Sequence, residues 1–173
     1  MRLHTITQIH ALQMGAMAPS VFNVGENGLG PELCPDPLMQ NITAWRVTNN
    51  GTVSTVSTGL PIGYNQAIQA NAGDGTHDRF EQANEISGFV VDRYYRVSAL
   101  VKPVQANADQ GFFAFQFTNG AESILATGTD WQWLTTTVRA RYTTGRTRIY
   151  AARAGGQAGD SIQIAALSIR EIL

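Results

Sequence analysis

The chain has 173 residues, enough for one domain of ordinary size plus an extension, with 12 Lys and Arg against 13 Asp and Glu and a formal net charge of −1. That balance gives no reason to expect a nucleic-acid partner, because non-specific binding to a polyanion rests on clustered positive charge. Charged residues make up 14% of the chain, well under the usual share of about 25%, which fits a protein packed into an assembly or working outside a cell.

Residues 1–31 read as an N-terminal arm and Gly-rich linker, and residues 32–173 as the domain. The mildly apolar run from Ile9 to Ala18 follows Arg2 and ends in Ala16-Met17-Ala18, but His10 and Gln13 interrupt it. Neither a cleaved signal peptide nor a membrane span is therefore expected, and synthesis in a host cytoplasm is. Leu3, Ile6, Ile9, Met14 and Met17 have imperfect helical spacing. The arm packs either on its own domain or on a neighbouring subunit, the second being preferred. Gly25-x-x-Gly28-x-Gly30 has the wrong spacing for a dinucleotide fingerprint. The lone Cys34 excludes an internal disulfide and is expected to be a buried, inert hydrophobe. Asn41-Ile42-Thr43 and Asn50-Gly51-Thr52 match the glycosylation pattern, and without an export signal both read as chance.

From Glu32 onward short alternating runs are separated by turn residues, with no helical period of useful length. Thr43 to Thr48 and Thr52 to Ser57 read as two strands of a hairpin turned by Asn49-Asn50-Gly51. Tyr64, Gln66, Ile68 and Ala70 share one parity of the next run, and a polar loop from Asn71 to Asp78 precedes another from Arg79 to Ile86. Tyr94 to Lys102 is the organising strand: Tyr95, Val97, Ala99 and Val101 alternate strictly with Arg96, Ser98 and Lys102, so one face belongs to a core. Phe113, Phe115 and Phe117 place a second strand between Gly111 and Asn119-Gly120. The last runs are Trp131 to Tyr142, Arg146 to Arg153 and Ser161 to Leu173. In the last, Ile162 and Ile164 have one parity and Leu167 and Ile169 the other, which predicts a bulge near Ala165-Ala166. Roughly nine or ten strands at this spacing predict an all-β, two-sheet antiparallel sandwich or jelly roll.

The stretch from about Glu32 to Glu171 resembles the carbohydrate-binding modules of families four and nine, jelly-roll domains also found in virus tail and capsid proteins. The resemblance is carried by Leu33-Cys34-Pro35-Asp36-Pro37 with Trp45 eight residues later, by Tyr94 to Lys102, by Asp130-Trp131 and by Ile162 to Glu171. It implies a scaffold more than an activity. Such modules often hold a structural calcium, but Gln40 and Ala165-Ala166 stand where carboxylates would be expected, so no metal or cofactor is predicted.

Sugar binding on such a fold needs exposed rings flanked by hydrogen-bonding groups. Tyr64, Trp131, Trp133, Tyr142 and Tyr150 are the aromatic candidates, of which Tyr64, Trp133 and Tyr142 are retained. Trp131 and Trp133 share a parity and at least one, Trp131 for preference, is expected to pack inside. No catalytic motif is visible. His77-Asp78 has no nucleophile to go with it, and Glu81 and Glu85 in one extended strand would be about 13 Å apart, too far for an acid pair. Arg139, Arg141, Arg146, Arg148 and Arg153 concentrate in two adjacent runs, while Lys occurs only at Lys102. An antiparallel pairing of those runs would form a cross-strand guanidinium patch in need of acidic partners. Arg139, Arg141, Arg146 and Arg148 are accordingly candidate interface residues, with Asp109 or Glu122 of a neighbour as partners. Taken together, the sequence is read as a non-enzymatic structural virion protein, a capsid cement or decoration protein, forming a homo-oligomer, a trimer for preference, and docking on a major capsid or other virion protein through residues 1–31. The alternative is a glycan-binding module; neither nucleic acid nor membrane is expected as a partner.

Overall fold

A computed structural model describes residues 28–48, 51–73, 79–82, 84–105, 110–117, 120–125, 129–152 and 159–173. The alternating runs become β1 (Leu29–Glu32), β2 (Trp45–Thr48), β3 (Thr52–Val56), β4 (Ala67–Asn71), β5 (Arg79–Gln82), β6 (Ile86–Ser87), β7 (Tyr94–Gln105), β8 (Gln110–Phe117), β9 (Gly120–Leu125), β10 (Gln132–Arg139), β11 (Thr144–Ala152) and β12 (Ser161–Ile172). All pair antiparallel. A front sheet has the order β10-β7-β12-β4-β3 with β1 also on β12, and a back sheet has β2-β5-β11-β8-β9 with β6 on β11. Among the described residues the sole helical element is a 3-10 turn at Ile42–Ala44. The all-β jelly-roll sandwich read from the sequence is the observed architecture.

The core forms where β7 and β12 lie side by side. Tyr95 is 1% exposed, and Val97, Ala99 and Val101, like Ile162, Ile164, Leu167 and Ile169, are fully buried. Each large aliphatic side chain removed from water there contributes about 1.5–3 kcal/mol, so these two strands hold the front sheet. Ile164 stands opposite Val101 and Ala166 opposite Leu100, which makes Ala165 the extra residue of the expected bulge and lets both parities of the β12 apolar pattern face inward. β12 is buried on both faces from Ser161 to Arg170. Leu33 N donates to Ile169 O at 2.9 Å and Leu167 N to Pro37 O at 3.0 Å, so the segment after β1 seals the stretch of β12 that β4 does not reach. Cys34 and Met39 from this segment plug the core. Asp36 anchors it: Oδ1 accepts from Gln40 N at 2.8 Å and Oδ2 from Asn41 N at 3.0 Å and Trp45 Nε1 at 3.3 Å.

Several local expectations are corrected. Asn49-Asn50-Gly51 does not join a hairpin, because β2 pairs with β5 in the back sheet and β3 with β4 in the front sheet. Turn chemistry is local, whereas Trp45 and Val53 are both drawn into the one core from opposite sheets. β1 begins at Leu29, so residues 29–31, read as linker, belong to the sheet. There Gly30 approaches β12 so closely that a Cβ would lie 3.2 Å from Glu171 Cβ. Tyr64 lies in a turn ahead of β4, its N–H donating to Pro61 O at 3.2 Å. The run from Arg79 to Ile86 is two short strands, and β9, unremarked in the sequence, pairs with β8. Residues 1–27, carrying the arm, lie outside the described residues, as do His77-Asp78, Asp109 and Arg153.

Candidate functional site

Strand alternation sends Trp133, Thr135, Thr137 and Arg139 of β10 to the outer face of the front sheet, opposite Leu100, Ser98, Arg96 and Tyr94 of β7. Trp133 is 40% and Tyr94 52% exposed. They stand at opposite ends of this two-strand row, about 20 Å apart by strand rise. Polar groups fill the space between them. Ser98 Oγ and Thr135 Oγ1 are 3.0 Å apart. Towards β3 an amide ladder continues the floor: Gln163 Nε2 donates to Gln69 Oε1 at 2.9 Å, Gln69 Nε2 to Asn71 Oδ1 at 2.8 Å and Asn71 Nδ2 to Thr52 Oγ1 at 3.2 Å. Each bond fixes which amide atoms remain to face a ligand.

One end of this face carries a small apolar cluster outside the main core. Leu100, Ala67, Ala165 and Ala166 are buried there under Val56, Leu60, Tyr64 and Trp131. Trp131 Nε1 donates to Gly59 O at 2.9 Å, pinning the 57–66 segment over the bulge. Desolvation raises the Tyr64 phenol above its ordinary value. Neither Trp131 nor Trp133 packs inside the sandwich, against expectation: the parity argument was sound, but the shared face is the outer one. Ala165 and Ala166, where a calcium module would place carboxylates, serve this apolar cluster, and no cluster of three or more metal-ligating side chains occurs among the described residues.

Of the three retained glycan candidates, Tyr64 and Trp133 come to the same end of the front face, at Leu100. Tyr142 does not join them. It is 37% exposed in the turn between β10 and β11, beyond Arg139, which stands opposite Tyr94. The Tyr150 side chain is not described. Tyr94 was missed, although the signal was available: with Tyr95 in the core, its neighbour must face outward.

The arginines separate. β10 edges the front sheet and β11 runs through the middle of the back sheet, so Arg139 and Arg141 are not cross-strand neighbours of Arg146 and Arg148. Two parallel-sided runs in sequence need not be partners when a turn carries the chain from one sheet to the other. Arg139 Nη2 pairs with Asp92 Oδ1 at 2.8 Å on the surface, and Arg141 is exposed. On the back face Glu81, 1% exposed, is ringed by guanidinium groups. Arg46 Nε lies 2.8 Å from Oε1, with Arg46 Nη2 on the same oxygen, Arg146 Nη1 3.3 Å from Oε1 and Arg148 Nε 3.1 Å from Oε2. Arg146 Nε is also 3.7 Å from Glu85 Oε1, so the two glutamates share an arginine and do not lie along one extended strand.

No family profile and no curated protein sequence matches the chain. Solved structures do share its fold. The C-terminal family 22 carbohydrate-binding module of Clostridium thermocellum Xyn10B superposes with a TM-score of 0.63 at 11% identity, covering 87% of this chain and 97% of the module. TmCBM61, solved with β-1,4-galactotriose, gives 0.51 at 16% identity over 81% of this chain and 98% of its own. The enzymatically active domain of bacteriophage CBA120 tailspike protein 4 gives 0.59 at 14% identity over 82% of this chain, which spans 21% of the tailspike domain. The fold is that of a carbohydrate-binding-module jelly roll.

Proposed function

We propose that the protein is a non-catalytic glycan-binding module whose site is the outer face of the front sheet. The observation that carries this reading is the pairing of exposed Trp133 and Tyr94 at the two ends of a polar, hydrogen-bonded row. An aromatic face offers an apolar platform to the C–H face of a pyranose, and the hydroxyls of Ser98, Thr135 and Thr137 are at hand for its polar edge. The size of the platform suits an oligosaccharide better than a monosaccharide. The fold shared with a module solved on galactotriose, and with a xylan-binding domain, supports the same reading.

Isothermal titration calorimetry on an oligosaccharide panel tests it. Trp133→Ala is expected to weaken binding about tenfold or more, the equivalent of losing about 1.4 kcal/mol, with an unchanged circular dichroism spectrum. Binding that survives both Trp133→Ala and Tyr94→Ala at full strength would remove the front face from the site. A structural virion role remains a second reading on one observation, the fold shared with a phage tailspike domain. That likeness supports neither a cement role nor a trimer in particular, and light scattering that finds a monomer at high concentration would end the trimer proposal.

A further inference from the structure

The row between Tyr94 and Trp133 is finished differently at its two ends. At the Tyr94 end the last ladder step sets Arg139 opposite Tyr94, and beside it stands the surface ion pair of Arg139 with Asp92, both side chains more than half exposed. That end opens to solvent. At the Trp133 end the face is built over. Leu100 stands opposite Trp133 and by parity faces outward, yet it is buried, in one cluster with Ala67, Ala165 and Ala166 beneath Leu60, Tyr64 and Trp131. Trp131, the next position of the same parity beyond Trp133, is tied to this cover, its Nε1 donating to Gly59 O at 2.9 Å. The way past Trp133 is thus occupied on both strands. The cover is fixed in shape: Gly59 and Gly63 take φ of 66° and 87°, a conformation costly for any residue with a Cβ, and Tyr64 N donates to Pro61 O at 3.2 Å.

From this asymmetry we infer that the site reads the end of a glycan chain: the terminal pyranose lies on Trp133 against the 57–66 segment, and the following units run out over Ser98, Thr135 and Thr137 past Tyr94. The inference rests on the glycan reading and narrows it from oligosaccharides at large to chain termini. Tyr64 becomes a specificity-determining residue, because with Leu60 it fills the volume that the next unit of an internal segment would need. Admitting that unit would lift packed apolar side chains off Leu100 and the three alanines and return this surface to water. Either terminus of a chain offers a last ring with a face to stack and no unit beyond it, and the test separates the two.

The test is calorimetry of the full chain with linear oligosaccharides of β-linked galactose, xylose and glucose of increasing length, with the corresponding polymers, and with oligosaccharides blocked at one terminus. The block is a tert-butyl glycoside at the reducing end or a tert-butyl ether on the last chain-propagating hydroxyl at the other. For a sugar that binds, one protein per chain is expected at every length. One of the two blocked forms is expected to bind about tenfold or more weaker than its parent, and the other to stay within about threefold. Tyr64→Ala, with Leu60→Ser as a milder variant, is expected to bring the weakened form back to within about threefold of the parent while the circular dichroism spectrum is unchanged. Protein bound per chain that rises with chain length, or blocked forms that both bind as tightly as the parent, would overturn chain-end recognition and leave the glycan reading standing. Discrimination that persists undiminished in a folded variant of either kind would overturn the role given to the 57–66 segment. No binding of any oligosaccharide by the wild type would overturn both proposals.

Discussion

The two outer faces of the sandwich are built from different chemistry. On the back face three guanidinium groups converge on one buried carboxylate, Glu81, and Glu85 adds a second partner to Arg146. On the front face Arg170 is buried beside Arg96 while Glu32 spends its oxygens on backbone amides and a serine. The back cluster is closed upon itself and reads as structure, whereas the front face exposes Trp133 and Tyr94 at the ends of a polar row. Arginine content alone does not mark a binding surface.

The largest expected effect comes from opening the closed cluster. Glu81→Gln strands three guanidinium groups around a neutral amide, and removing one partner of a buried ion pair typically costs about 3 kcal/mol or more. A fall in melting temperature of about 10 °C follows for a domain of this size, read by circular dichroism. If Glu81→Gln melts within a degree or two of the wild type, the back cluster is not the structural device described.

A smaller effect is expected at the edge of the front face. Trp131→Phe keeps an aromatic ring, smaller than the indole, but removes the Nε1 bond to Gly59 O, which should cost about 1 kcal/mol and loosen the 57–66 segment. Faster amide exchange confined to that segment, with the rest of the front sheet unaffected, would sharpen the distinction between the apolar end and the polar row. No change in exchange would show that apolar packing alone holds the segment.

The smallest effect is a pH dependence at Tyr64. Because burial raises its phenol in the folded state, the fold favours the neutral form. That contribution is fully present below the unfolded value of about 10 and is lost as pH rises through the folded value. Tyr64→Phe should therefore flatten the decline in stability above about pH 10 and leave the neutral range untouched. An identical alkaline decline in both proteins would assign it to other groups.

Some of this was legible before any coordinates. The β7 alternation named the core residues Tyr95, Val97, Ala99 and Val101, the change of parity in Ile162–Ile169 placed a bulge near Ala165-Ala166, and Cys34 was placed in the core. These succeed because side-chain parity along one strand is a local property of the backbone. Pairing between strands is not local. Asn49-Asn50-Gly51 looked like a hairpin and carries the chain between sheets, and the arginine runs of β10 and β11 looked like partners and lie in different sheets. The same limit governs the site. Parity put Trp131 and Trp133 on one face, but whether that face was core or surface depended on which side the second sheet came to cover. Likewise, eleven arginines and one lysine are plain in the sequence. That Glu81 neutralises three arginines was settled only by tertiary folding, because counter-charge is a matter of distance through space and the partners are up to 67 residues apart along the chain.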